Sequence, residues 1–134
     1  MEIISALLSG FSIALQPVNL AYCFLGVLAG TLIGVLPGIG PVAGVAMLIP
    51  FSFGMNATTA MIMMAGIYYG AMYGGSTTSI LVNLPGESSS VVTCLDGHAL
   101  ARQGRAGAAL GMAAFASFIA GTLGVIGLML LAKP

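Results

Sequence analysis

Three basic and three acidic side chains are all the full charges this 134-residue chain carries, and that scarcity constrains its fold more than any motif. A soluble domain draws about a quarter of its residues from Asp, Glu, Lys and Arg to keep its surface solvated; here the share is 4%. Such a surface must face lipid, and a hydrophobic fraction of 59% makes the chain an integral membrane protein on composition alone. A net charge of zero provides no basic field for nucleic acid and no acidic tail for a basic partner, so nucleic-acid binding is set aside. Met1-Glu2-Ile3 carries an acid where a secretory leader has Lys or Arg, and Met1 is read as a true start. Cys23 and Cys94 stand far apart without CxxC or Cys/His ligand spacing, which argues against a disulfide framework or a metal site.

A spanning helix needs roughly 20 mostly apolar residues, and the chain divides accordingly. Residues 1–19 read as an interfacial or partial helix, stopped by Gln16-Pro17, because Pro17 lacks an N–H and disfavours helix before it. Residues 20–36 form the first membrane span, 37–56 a broken segment around Pro37-Gly38-Ile39-Gly40-Pro41, and 57–73 a second span. Residues 74–90 read as a second broken segment, 91–105 as an aqueous loop, and 106–132 as a third span followed by Lys133. The fold class is therefore all-α, multi-pass, with glycine/proline-broken half-helices or re-entrant segments. Arg102 and Arg105 put the loop on the cytoplasmic side by the positive-inside rule, weakly opposed by Lys133.

Glycine recurs every fourth residue at Gly26, Gly30, Gly34 and Gly38, again at Gly66, Gly70 and Gly74, and at Gly107 and Gly111. Each set lines one helix face, where small residues let two backbones approach in lipid. These are read first as helix-packing faces.

Two Leu-Pro-Gly breaks interrupt apolar sequence, at Pro37-Gly38 and Pro85-Gly86. Irregular backbone is tolerated at membrane depth only where protein buries it or where it lines a watery cavity, and in transporters such interruptions point to the binding site. The backbone breaks are placed at Pro37, Gly38, Gly40, Pro41, Gly74, Gly75, Pro85 and Gly86. Beside them stand Ser76, Thr77, Thr78, Ser79 and Asn83, the candidate substrate-binding residues. If a half-helix begins there, its free amides and these hydroxyls can hold a carboxylate; alternatively the hydroxyls bond back to their own helix. Carbonyls freed at the breaks can coordinate a sodium ion. No span contains Lys or Arg, so an anionic ligand needs neutral donors and a co-transported cation. Glu87 suits a cation better than an anion. Asp96, His98, Arg102 and Arg105 read as a solvated loop face. No nucleophile elbow, Walker loop or HExxH motif is present, and a triad assembled from Ser88–Ser90, His98 and Asp96 is treated as accidental; no catalytic residue is assigned.

The runs GTLIGVLPGIGP at 30–41, PFSFGM at 50–55, AGIYYGAMYGGS at 65–76, NLPGE at 83–87 and LDG at 95–97 together resemble the large membrane subunit of the tripartite tricarboxylate transporters, the TctA family. The resemblance covers nearly the whole chain from about Pro17 and only the beginning of that subunit. One departure is His98, where an aromatic, usually Tyr, is expected. The resemblance implies a permease of the bacterial inner membrane importing carboxylates on an ion gradient, with a sodium ion or a proton as co-transported cation and no bound cofactor. It implies as partners a small membrane subunit, a periplasmic solute-binding protein and the remainder of the large subunit. The competing reading is a small structural or assembly membrane protein that binds other helices through its glycine faces and transports nothing.

Overall fold

The computed structural model describes residues 2–131, with side chains from residue 4. Met1 as a start, Ala132 as the end of the last span, and the flanking Lys133 lie outside the described residues. The regular structure among the described residues is all helix, with no strand: α1 Glu2–Ala14, α2 Pro17–Gly34, α3 Gly40–Leu48 with a 3-10 turn Ile49–Ser52, α4 Ala57–Val82, a 3-10 turn Ser88–Ser90 leading into α5 Val91–Leu100, and α6 Ala106–Leu131. Pro17 begins α2 rather than merely preceding it, since a proline at the first helical position loses no hydrogen bond.

The core is the α2/α4 pair. A side chain on Gly26 would collide with the Met63 carbonyl, on Gly30 with that of Ile67, and on Gly34 with that of Ala71. Reciprocally, Cβ atoms on Gly66, Gly70 and Gly74 would meet the carbonyls of Cys23, Val27 and Thr31. Residue numbers rise together along both helices, so α2 and α4 run parallel. Two parallel neighbours require a connection that recrosses the layer, and α3 with its 3-10 turn supplies it. Gly44 of α3 packs on Ile33 and Ala71 at one end, while Asn56, whose side chain caps α4 by accepting from the Thr58 amide, lies at the other.

That other end is tied by a buried polar hub that sequence reading passed over as part of a helix stop. Asn19, 3% exposed, donates from Nδ2 to the Ile13 carbonyl at 2.8 Å and accepts from Thr59 Oγ1 at 2.7 Å. One amide thereby satisfies the end of α1 and clamps the first turns of α2 and α4. Asn19→Leu leaves buried polar groups unpaired, and thermal unfolding of the protein in detergent is expected to show a loss of about 1–3 kcal/mol. An unchanged melting temperature would contradict the hub.

Residues 91–105, expected as a loop, are instead helix α5 and a helical corner, Ala101–Arg105. The corner turns at Gly104, whose φ of 78° few other residues adopt, and α6 then runs antiparallel to α4. Ala109 shares a cleft with Ile80, and Gly121 lies against the Tyr69 ring. The 26-residue α6 is long enough to cross a bilayer. Nearly all of its large side chains are exposed, Phe118 and Leu130 at 74% each, an apolar face untenable in water. The packing role expected for Gly107 and Gly111 finds no neighbour here: a Cβ at either would have nothing within 4 Å.

Candidate functional site where the two breaks meet

The first break is built by glycine conformations. After Gly34, Val35 and Leu36 still donate to the Thr31 and Ile33 carbonyls, and the chain then turns through Gly38 (φ 86°) and Gly40 (φ 61°). Both values lie in the left-handed region, which costs a residue with a Cβ roughly 1–2 kcal/mol. Pro41 follows buried in the first turn of α3, where its missing N–H does no harm.

The second break differs from expectation. Gly74, Gly75 and the hydroxyl run do not interrupt the backbone; they lie inside α4, which is continuous to Val82. Ser76, Thr77, Thr78 and Ser79 donate to the carbonyls of Met72, Tyr73, Gly74 and Gly75, each four residues back, which is the alternative weighed for them above, hydroxyls bonded to their own helix. Successive residues on a helix step about 100° around its axis, so these four side chains cannot all face one ligand, and only Ser76 and Ser79, three residues apart, lie near one face. Thr78 alone reaches another element, sharing its proton with the Val35 carbonyl at 2.9 Å. That bond satisfies an acceptor freed at the end of α2. Thr78→Val is expected to destabilise the protein by about 1–2 kcal/mol while Thr78→Ser is nearly neutral, read by thermal unfolding; equal effects would dismiss the bond.

Asn83 ends α4. Its φ of 61° makes it the left-handed residue after the helix, a place Asn accepts more readily than most residues. From there the chain folds back along α4 instead of continuing outward. Gly86 is buried against Gly75, seven residues inside the end of α4, which corresponds to a dip of about 10 Å. The following helix then climbs in the same direction as α4: Gly97 packs on the Ile80 side chain and His98 Nδ1–H donates to the Ile80 carbonyl at 3.0 Å. Residues 83–100 are thus a re-entrant hairpin.

The two breaks dock on each other. A Cβ on Gly86 would fall on the Cα of Gly75 and 3.2 Å from the Gly34 carbonyl, at the end of α2. A Cβ on Gly40, at the start of α3, would stand 4.0 Å from that of Glu87. The start of α3, the end of α2, the Gly75 face of α4 and the apex of the hairpin therefore share one locus. Among the described residues Glu87 is the sole full charge there. Its carboxylate accepts from the Ser90 amide and from Ser89 Oγ at 2.8 Å, while Ser90 Oγ accepts from the Glu87 amide. This reciprocal pairing starts the helix. Sequence reading placed Glu87 beside the site; its cap role was signalled by the E-S-S-S spacing.

Other arrangements drawn on paper fall apart. His98 bonds to a backbone carbonyl rather than to Asp96, and Ser90 is engaged with Glu87, so no triad forms. Among the described residues no three His, Cys, Asp or Glu side chains gather to hold a metal, and no buried side-chain nitrogen or oxygen lacks a partner. A cavity of about 810 Å³ between α1, α4 and α6 is walled almost entirely by carbon from residues such as Phe11, Tyr69 and Phe118, and offers nothing to a charged ligand.

Residues 20–134 match the profile of the tripartite tricarboxylate transporter TctA family. The chain is 59% identical over its full length to an uncharacterized 52.8 kDa protein in the TAR-I ttuC' 3' region of Agrobacterium vitis, and spans 27% of that relative's length. No solved structure matches the chain.

Proposed function

Because the chain belongs to the TctA family of tripartite tricarboxylate transporters, we propose that its two docked breaks are the translocation element of a permease that carries a carboxylate across the bacterial inner membrane with a co-transported cation. The observation that carries this reading is the packing of Gly86 on Gly75 and the Gly34 carbonyl, with Glu87 against Gly40. Irregular backbone from both breaks is gathered at one place inside a helical membrane protein, as a midway binding site requires. The remainder of the longer subunit, a small membrane subunit and a periplasmic solute-binding protein complete the system in this proposal.

The chemistry divides between cation and anion. The hydroxyls of Ser76 and Ser79 spend their protons on their own helix, leaving lone pairs that suit a cation. Glu87 adds the one negative charge at the locus, and a sodium ion or proton there would offset the charge of an arriving carboxylate. The anion would meet the first amides of α3, which have no partner within their own helix.

Uptake of labelled carboxylate by cells making the full-length subunit with its partners tests this. Glu87→Gln keeps the shape and the acceptor oxygen of the cap while deleting the charge. It is expected to lower cation-dependent uptake by roughly tenfold or more, since charged hydrogen-bond partners are worth about 1.5–3 kcal/mol. Wild-type uptake with wild-type cation dependence in that variant would reject Glu87 as the coupling group.

A further inference from the structure

Where the re-entrant hairpin turns into α6, an open cleft with polar lining lies apart from the docked breaks. Its volume is about 590 Å³, within the roughly 300–1,000 Å³ of small-molecule pockets. Asn83, Cys94, His98, Arg102 and Gln103 line it. We propose that this cleft is a carboxylate-binding vestibule, with Arg102 as its anchoring cation.

Four observations converge on that assignment. Arg102, Asn83 and Gln103 bring hydrogen-bond donors from the end of α4 and from the corner after α5, and among the described residues no carboxylate lines the cleft. Asp96, the one acid of α5, lies on the other side of that helix, in the cleft with Ile80, Leu100 and Ala109. The wall is held rigidly, because His98 Nδ1–H is anchored on the Ile80 carbonyl at 3.0 Å, a carbonyl that the end of α4 leaves free. The left-handed turn at Asn83 sets its side chain at the rim instead of continuing the helix. A planar guanidinium can take a carboxylate through two parallel bonds, and neutral amides beside it satisfy the remaining lone pairs. The cleft lies one helix, α5, from the Glu87 apex: ten residues, about 15 Å. A carboxylate held here would stand at the mouth of the hairpin, supplying the basic contact that no span contains.

The inference rests on the carboxylate reading of the cargo, and Cys94 allows the two to be separated. In the full-length subunit in membrane vesicles, modification of Cys94 is followed with an anionic and a cationic methanethiosulfonate, every other cysteine, Cys23 included, having been replaced by Ser. The anionic reagent is expected to react several-fold faster than the cationic one, and citrate is expected to slow both. Arg102→Gln should abolish the preference and weaken citrate protection roughly tenfold or more, whereas Arg102→Lys should keep the preference and part of the protection. Equal reagent rates in the wild type, or citrate protection untouched by Arg102→Gln, would overturn the vestibule. Protection that depends on Arg102 in a subunit that fails to take up carboxylate would uphold the vestibule and refute the proposed transport function instead.

Discussion

Gly30→Leu is expected to prevent the subunit from folding, with protein lost from the membrane fraction and no measurable unfolding transition in detergent. A Cβ at this position would collide with the carbonyl, carbonyl carbon and Cα of Ile67. These are backbone atoms of a helix, which cannot swing aside as a side chain can. Ordinary overpacking is relieved by rotamer shifts and costs about 1–3 kcal/mol; here the whole α2/α4 pair must separate, and Gly26, Gly34, Gly66, Gly70 and Gly74 lose their close approach with it. In lipid no hydrophobic force compensates, because helix association there rests on van der Waals contact between close backbones. Gly124→Leu serves as the control, since a Cβ there meets nothing within 4 Å, and should leave the level and stability of the protein nearly unchanged. A well-folded Gly30→Leu protein would refute the tight parallel pair.

The second large effect falls on transport rather than folding. Gly86→Val is expected to abolish carboxylate uptake, by about a hundredfold or more, while leaving the subunit in the membrane. The added Cβ cannot share space with Gly75 Cα, so the apex of the hairpin has to lift off α4, carrying Glu87 away from Gly40. A displacement of about 1 Å at a reacting or binding locus can cost on the order of a hundredfold. The α2/α4 contact is made by other residues and survives. Uptake near wild type would mean that the apex is only a surface turn.

What the sequence made legible, and what it hid, follows from the range of the interactions involved. An all-α membrane chain was readable from six charges in 134 residues, because solvation of a surface is a property of composition. The four-residue glycine spacing at Gly26, Gly30 and Gly34 was equally readable as a face, but that this face meets Gly66, Gly70 and Gly74 in parallel is a tertiary fact with no local sign. Gly107 and Gly111 carry the same spacing and touch nothing described; spacing specifies a face and not its partner.

The misreading of 74–79 has a different cause. Gly-Gly-Ser-Thr-Thr-Ser has poor helix propensity in water, yet inside a membrane protein each hydroxyl finds its acceptor one turn back, Gly74 lies against α2 and Gly75 against the hairpin apex, so propensity yields to packing. The stop came at Asn83, where left-handed backbone is cheap for that residue. The loop expected at 91–105 failed for the reverse reason: its polar residues were taken as a sign of solvent, when Glu87 with Ser90 starts a helix and His98 fastens it to α4. Asn19 was hidden altogether, since its partners Ile13 and Thr59 come from two other helices.

The claim on which the rest depends is that the two Leu-Pro-Gly breaks are docked on each other, and a cross-link measures it most directly. In a full-length subunit with all its native cysteines, Cys23 and Cys94 included, replaced by Ser, Gly40→Cys is combined with Glu87→Cys, and mild oxidation is followed by cleavage at a protease site inserted near Gly54. The Cβ separation of 4.0 Å falls within the span of disulfides, so the two fragments are predicted to stay joined until reductant is added. A pair of Gly54→Cys with Glu87→Cys should not link, because Gly54 precedes the start of α4 and Gly75 lies about 27 Å further along that helix. Fragments that separate freely from the 40/87 pair, in membranes where the unsubstituted protein takes up carboxylate, would contradict the docked breaks.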